Sequence, residues 1–186
     1  IPSHCPVEDI GNDVIMPGLV DTHVHINEPG RTDWEGFETA TKAAASGGIT
    51  TLVDMPLNSI PVTTTVDALK QKLLVTQDQL WVDCGFYGGL IPGNLQDLES
   101  LADAGVLGFK AFLSHSGIDE FPNITEEHLR EALPVFTKKG VPVLVHAELE
   151  NDVIASEDYS TYKSFQDSRP KSWENNAVKL LIQLCQ

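Results

Sequence analysis

Two histidines stand one residue apart in "PGLVDTHVHINEPG", residues 17–30, of a chain that contains six histidines. Side chains alternate faces along an extended strand, so Asp21, His23 and His25 are predicted to project from one side. Imidazole is the commonest metal-binding side chain, and two rings on one face can converge on one ion. The spacing therefore indicates either part of a metal site or a pair of hydrogen-bonded core histidines.

Lys110 stands in "GFKAF", at the end of an apolar run that is typical of a buried strand. Burial disfavours the ammonium form and favours the neutral amine. Three interpretations follow: a strand-end lysine that reaches water, a Schiff-base lysine, or an amine that captures carbon dioxide. The last would give a carbamate able to bridge two metal ions. Histidines at the ends of other strands favour a metal role over a Schiff base.

His146 and Asp54 also stand at the ends of apolar runs, in "VLVHAE" and "LVDMP". His146 is either a core histidine or, beside His23 and His25, a further ligand. Glu148 lies two residues on and is predicted to face the same way. Asp54 is either a second-shell group that orients a ligating imidazole or a turn former before Pro56.

Five apolar strand patterns alternate with helical patterns along the chain. The predicted strands cover residues 14–26, 49–56, 81–91, 106–113 and 141–149. The predicted helices cover residues 34–48, 65–77, 94–105, 125–140 and 172–186, with N-caps at Asn94, Thr125 and Ser172. Strand–helix units in succession predict parallel strands joined by helical crossovers.

Two architectures fit this alternation, an open doubly wound sheet and a (β/α)8 barrel. The dinucleotide-binding form of the open sheet is disfavoured because no G-x-G-x-x-G turn follows the first strand. A barrel is favoured because its chemistry lies at the carboxyl ends of its strands, where the unusual polar residues stand. A complete barrel takes about 250 residues. We therefore predict an α/β fold, a (β/α)8 TIM barrel of the metal-dependent hydrolase type, present only in part as about five units.

Bulk properties exclude several functions for the 186-residue chain. Its formal charge of −15 argues against binding nucleic acid or an anionic membrane. Three widely spaced cysteines, without a CxxC pair, predict a reducing, intracellular compartment. The chain starts at Ile1 and stops inside an apolar helical pattern, so both ends are predicted to be cuts that hide any targeting signal.

Long stretches of the sequence resemble the allantoinase family, cyclic-amide hydrolases of the amidohydrolase superfamily. The resemblance rests on "MPGLVDTHVHINEPGRTDWEGFETATKAAASGGITTLVDMPLNS", "GFKAFLSHSGIDEFPNI", "VLVHAE" and "SRPKSWENNAV". It implies a barrel with a small β-sandwich built from both chain ends. Residues 1–13 would then be a remnant of that sandwich or a linker, and residues 14–186 the N-terminal part of the barrel.

The resemblance also implies a centre with two divalent metal ions, with zinc as the expected metal. Its metal ligands would be His23 and His25 on one ion, carboxylated Lys110 as a bridge and His146 on the second ion. Asp21 and Asp54 would form the second shell. The family's remaining ligands, a histidine and the general-base aspartate, are expected beyond Gln186, so no catalytic acid or base is assigned within the chain.

The implied reaction is hydrolysis of allantoin to allantoate, by attack of a metal-bound hydroxide on a hydantoin-ring carbonyl. Asn27 and Asn58 are the implied substrate-binding residues. Related dihydroorotases carry an arginine, used for a substrate carboxylate, where Asn27 stands, and allantoin has no carboxylate. Asn58 is included because it stands in the loop after the second strand. The full-length protein is expected to be a homotetramer and the 186-residue chain to be inactive alone. The alternatives are another cyclic-amide hydrolase, dihydropyrimidinase- or dihydroorotase-like, or a catalytically silent homologue that acts as a scaffold.

Overall fold

A computed structural model describes residues 4–150 and 160–185 of the chain. Strands and helices alternate in the order β1 Leu19–Val24, α1 Phe37–Ser46, β2 Ile49–Asp54, α2 Val66–Val75, β3 Asp83–Phe86, β4 Gly88–Gly89, α3 Leu98–Asp103, β5 Phe109–Phe112, α4 Glu126–Lys139, β6 Val143–His146, α5 Tyr162–Asp167 and α6 Ser172–Leu184. A 3-10 turn, Leu95–Asp97, precedes α3. Within the described ranges, no helix is both long and apolar enough to cross a membrane.

All paired strands run parallel, as the sequence predicts. They form two three-stranded sheets, β1-β2-β3 and β4-β5-β6, and only Tyr87 separates β3 from β4. The Tyr87 N–H donates to the Asp54 carbonyl at 3.0 Å, whereas the Gly88 N–H donates to the Gly108 carbonyl at 3.0 Å. The third predicted strand therefore changes partner at Tyr87, from β2 to β5, and links the two sheets.

Glycine is required where the chain changes partner. A Cβ atom on Gly88 would lie 2.7 Å from Leu101, and one on Gly89 would lie 2.5 Å from the ring of Phe121. Both separations are far below van der Waals contact, so a larger residue could not occupy either position without movement of the neighbours. The absence of side chains at β4 lets α3 and the loop after β5 approach the sheet.

Helix ends follow local sequence signals. At α2, the Thr65 side chain accepts from the Ala68 N–H at 3.2 Å. At α4, Thr125 is the N-cap, and its backbone N–H donates to Nδ1 of His128 at 3.1 Å. The same helix has two glutamates in its first turn and two lysines in its last turn, which complement the helix dipole. The predicted Thr125 cap is confirmed.

The larger core cluster lies between the second sheet and α3, α4 and α6. Phe109 of β5 stacks on Phe136 of α4 with ring centroids 4.8 Å apart, and Leu101 and Ala177 are fully buried beside them. A second cluster, which includes Val53, Met55, Tyr87, Phe112 and Phe121, joins β2 to β5. This packing holds the two sheets together as one curved wall.

Several of the predicted element ends differ from those in the structure. β1 begins at Leu19 rather than residue 14, because its partner β2 begins only at Ile49 and Leu19 is the first residue to pair with it. Ser172 is the first residue of α6 and Lys171 is its N-cap. Asn94 holds the N-cap position of the 3-10 turn, but it is buried and its side chain makes no capping hydrogen bond: it donates to the carbonyls of Thr64 and Gly89 at 3.1 and 2.9 Å.

Candidate metal centre

His23 and His25 lie at the carboxyl end of β1, with ring centroids 5.4 Å apart. The pKa of His25 is lowered to about 4, mainly by burial and to a smaller extent by the positive charges of His23, Lys110 and Lys72. Nδ1 of His25 is buried and has no hydrogen-bond partner within the described part of the chain. His25 is thus a neutral imidazole with a free ring nitrogen, the form that binds metal ions.

Lys110 occupies β5 beside Gly89 of β4 and Leu144 of β6. It is only 4% exposed, and its Nζ lies 4.8 Å from the ring centroid of Phe112. No carboxylate in residues 4–150 or 160–185 pairs with it. Burial lowers the pKa of Lys110. The structure therefore provides a buried amine whose charged form is disfavoured, rather than a lysine that reaches water.

His146 is the last residue of β6, and its ring stacks on Phe112 at 4.9 Å. Its Nε2 lies 3.3 Å from Oε2 of Glu148, the residue predicted to face the same way. The same Glu148 oxygen accepts from Arg169 at 3.2 Å. Glu148 is therefore the carboxylate partner of His146. The alternation of side chains along a strand had predicted that the two residues face the same way.

These four side chains face one end of the sheets but do not form a closed ligand set. The pKa of His23 is lowered first by burial and then by the charge of Lys110, with a smaller contribution from His146. Among the described residues, however, no three His, Cys, Asp or Glu side chains come close enough together to hold a metal ion. Imidazole donors of this kind suit divalent ions such as zinc.

Asp54 is the last residue of β2 and makes contacts that the sequence analysis did not foresee. Its Oδ1 accepts from the Ile26 N–H at 2.8 Å, and its Oδ2 lies 2.5 Å from Nζ of Lys72. Burial raises the pKa of Asp54 to about 6, and Lys72 opposes that shift. Asp54 thus binds the backbone next to His25 and a buried lysine. Asp21 likewise accepts from a backbone group, the His23 N–H, at 3.0 Å.

Lys72 was missed because it stands among helix residues that look solvated. Its position three residues after Leu69 and four after Ala68, both buried, puts it on the inward face of α2. A lysine within the apolar stripe of an amphipathic helix was the available signal. Glu28 was missed too: its Oε2 accepts from the Phe37 N–H at 2.9 Å, at the start of α1.

Asn27 and Asn58 lie in the loops that follow β1 and β2. Asn27 is 8% exposed, and its Oδ1 is buried without a hydrogen-bond partner in the described ranges. Asn58 has a left-handed backbone, with φ of 75°, and its carbonyl accepts from Arg31 at 2.8 Å. Arg31 also donates to Glu120 at 2.8 Å. Arg31 therefore ties together the loops that follow β1, β2 and β5.

Parallel strands alternating with helices, and ionisable groups collected at the carboxyl ends of the strands, define part of a β/α-barrel protein. The chain belongs to the amidohydrolase family, whose model matches residues 14–186. The predicted partial barrel is confirmed by this match and by the solved structures described next.

Curated relatives carry a more specific name. An allantoinase from Streptomyces avermitilis is 52% identical, covering 98% of this chain and 41% of that protein. An allantoinase from Saccharomyces cerevisiae is 50% identical, covering 95% of this chain and 39% of that protein. This chain thus spans about 40% of the length of the curated relatives it matches. The resemblance seen in the sequence is confirmed.

Solved structures support the fold. An L-hydantoinase (dihydropyrimidinase) from Arthrobacter aurescens matches with a TM-score of 0.82 at 33% identity, covering 91% of this chain and 39% of that chain. A dihydroorotase from Campylobacter jejuni matches with a TM-score of 0.57 at 18% identity, covering 94% of this chain and 47% of that chain. At this identity the match supports the fold alone.

Proposed function

We propose that the complete protein containing this chain hydrolyses the cyclic amide of allantoin to allantoate. The observation that carries this proposal is the identity of 49–52% to allantoinases from a bacterium, a yeast and a plant, over nearly the whole chain. The matched region includes nearly the whole chain, with the loops after β1 and β2 that carry Asn27 and Asn58. The proposed hydrolysis depends on bound metal ions.

His23, His25, Lys110 and His146 are the residues that would hold two divalent ions, with zinc as the proposed metal. The fit is supported by the lowered pKa of His23 and His25. Within the described ranges, Nδ1 of His25 has no hydrogen-bond partner and the amine of Lys110 has no carboxylate partner. When bound, such ions would polarise the amide carbonyl and lower the pKa of water.

Lys110 becomes a ligand in this proposal by carboxylation. Its neutral amine forms an N–C bond to carbon dioxide and releases one proton to water, which converts the neutral amine into an anionic carbamate. The buried position of Lys110 supports this step, because the ammonium form is already disfavoured there. An ammonium would also repel any cation held by the histidines.

Asn27 and Asn58 are the proposed substrate-binding residues. A buried amide oxygen without a partner can accept a hydrogen bond from a ring N–H or ureido group, and Asn27 carries such an oxygen. A neutral amide suits allantoin, which has no carboxylate. Arg31 holds the carbonyl of Asn58 and so restrains the backbone that carries the second amide.

A second candidate, hydrolysis of simple hydantoins or dihydropyrimidines, is favoured by the match to the Arthrobacter L-hydantoinase. The chemistry is the same and only the ring substituent differs. The choice between them therefore depends on residues that contact the ureido group of allantoin.

Turnover of the complete protein with zinc tests these proposals. Allantoin, hydantoin and dihydrouracil are compared by kcat/KM, with product identified by NMR, in the wild type, in His25→Ala and in His4→Ala as an exposed-histidine control. We expect allantoin to be preferred, His25→Ala to lose zinc and activity, and His4→Ala to match the wild type. A tenfold preference for hydantoin would favour the second candidate. A wild type that binds no zinc and turns over none of the three would favour a silent scaffold.

A further inference from the structure

Lys72 and Asp54 form an ion pair that is closed to solvent. Lys72 is 1% exposed and Asp54 0%, and Nζ lies 2.5 Å from Oδ2. Nζ also lies 3.4 Å from the Met55 carbonyl. Removing two charges from water is costly, and buried pairs are often no more stabilising than apolar side chains of the same size. The pair is therefore weak evidence for stability, and its geometry indicates another role.

The two carboxylate oxygens of Asp54 have different partners. Oδ2 contacts Lys72 of α2, whereas Oδ1 accepts from the Ile26 N–H at 2.8 Å. Ile26 is fully buried and stands between His25 and Asn27. The backbone on the other side of His25 is held from β2 as well, because the Met55 N–H donates to the Val24 carbonyl at 2.7 Å. Val24 and Ile26, the neighbours of His25 in the chain, are thus both hydrogen-bonded to residues at the end of β2.

We propose that the buried Lys72–Asp54 pair positions the segment from His25 to Asn27, with Lys72 as the counter-ion that lets the Asp54 carboxylate accept from Ile26. The inference rests on the proposed metal centre, since its consequence is the placement of His25 as a ligand and of Asn27 as a substrate contact. Neither Lys72 nor Asp54 touches metal or substrate in this scheme. Both are positioning residues.

Paired variants separate the hydrogen bond from the charges. Lys72→Met/Asp54→Asn removes both charges but keeps an amide oxygen for the Ile26 N–H. Lys72→Met/Asp54→Leu also removes both charges and leaves Ile26 without an acceptor. Lys72→Met alone leaves a buried carboxyl group without its counter-ion. Lys139→Met is the matched control, because Lys139 pairs with Asp103 at 2.7 Å on the surface between α3 and α4.

Two measurements on the complete protein decide the inference. Hydrogen exchange of the peptide containing Ile26 is followed without metal, and zinc affinity is measured by titration calorimetry. We expect zinc binding about 10–100-fold weaker in Lys72→Met and in the Leu double variant, as for other outer-shell changes. The Asn double variant and Lys139→Met should bind zinc like the wild type. Exchange at Ile26 should be faster in the two weakened variants only.

Equal zinc affinity and equal exchange in the Asn and Leu double variants would overturn the inference, and so would an unaltered Lys72→Met. If Lys72→Met fails to fold, the two double variants still decide, because neither contains an unpaired buried charge. Failure of the proposed function is distinguishable: the wild type would then bind no zinc, while the metal-free exchange comparison would still report whether the pair orders the segment.

Discussion

At the scale of single residues, the local dielectric decides which chemical form each ionisable group takes. Lys110 is buried without a carboxylate partner among the described residues, whereas Lys72 is buried against Asp54. The same residue type is therefore an amine available for reaction at one position and a structural cation at the other. Burial lowers the pKa of Lys110, which is the basis of the first prediction.

Lys110→Ala should abolish allantoin hydrolysis in the complete protein and lower the zinc content from about two ions per chain to about one, since the bridging ligand is lost. Short carboxylic acids added to the variant should restore part of the activity by replacing the carbamate. Zinc content is measured by plasma emission spectrometry and activity by allantoate formation. Lys70→Ala, an exposed lysine on α2, is the control. Full zinc content with normal turnover in Lys110→Ala would refute the bridging role.

Cys84 should react far more slowly with alkylating reagents than the exposed Cys5 and Cys185. Burial, followed by the charge of Asp54, raises the pKa of Cys84 to about 12. The thiolate is the nucleophile, so at pH 8 the labelling rate of Cys84 should be about 10³-fold lower than that of an ordinary thiol of pKa near 8.5. Mass spectrometry of iodoacetamide-labelled peptides over time measures this. Equal labelling of the three cysteines in the native protein would contradict the assignment.

At the scale of elements, loops after β1, β2, β4 and β5 are joined by side chains rather than by further strands. Arg31 joins the first, second and last of these loops, and Asn94 joins the loop after β2 to β4. The buried amide of Asn94 is tolerated there because it finds backbone partners. The candidate site therefore stands on loops whose backbones are restrained from several directions, and the close packing at β4 is part of that restraint.

Gly89→Ala should destabilise the complete protein by about 1–3 kcal/mol, the usual cost of an added methyl group in a filled core. Its Cβ would lie 2.5 Å from the ring of Phe121 and 2.9 Å from Thr64. Gly47→Ala is the control, because its Cβ would meet only ordinary contacts at 3.5 Å or more, and its effect should stay within about 0.5 kcal/mol. Urea denaturation measures both. Equal stability of the two variants would mean that Phe121 moves aside freely.

At the scale of the whole molecule, the described strands form an arc and not a closed wall. β1 and β6 each pair with a single neighbouring strand among the described residues. His25 and His146 lie at the carboxyl ends of β1 and β6, whereas Lys110 is the second residue of β5, so the metal-ligand candidates come from both sheets. This chain spans about 40% of the length of its curated relatives, which agrees with a barrel that is present only in part.

The 186-residue chain expressed alone should hydrolyse allantoin at least 10²-fold more slowly than the complete protein. Loss of a general base alone costs about 10² to 10⁴-fold, and open strand edges should also lower its solubility. Allantoate formation at equal protein concentration, with light scattering for aggregation, tests both expectations. Turnover by the purified chain within tenfold of the complete protein would show that its own residues suffice.

Periodicity alone predicted much of the fold, because strand and helix patterns are local. The alternation of units, the parallel strands, the Thr125 cap and the location of His23, His25 and His146 near strand ends all follow from short-range spacing. Lys110 was predicted at a strand end and is instead the second residue of β5. The facing of Glu148 toward His146 follows from the two-residue repeat of a strand. These features depend on the order of neighbouring residues, which the sequence states directly.

Tertiary structure decided the features that need two distant segments in contact. The change of partner at Tyr87 depends on where Leu101 and Phe121 pack, and the role of Asn94 depends on the loop that carries Thr64. The partners of Asp54, Lys72 on α2 and the backbone of Ile26, lie 18 and 28 residues away in the chain. A residue's type and spacing state what it can donate or accept. Burial and the approach of other elements determine which partner it finds, because removal from water makes an unpaired polar group costly.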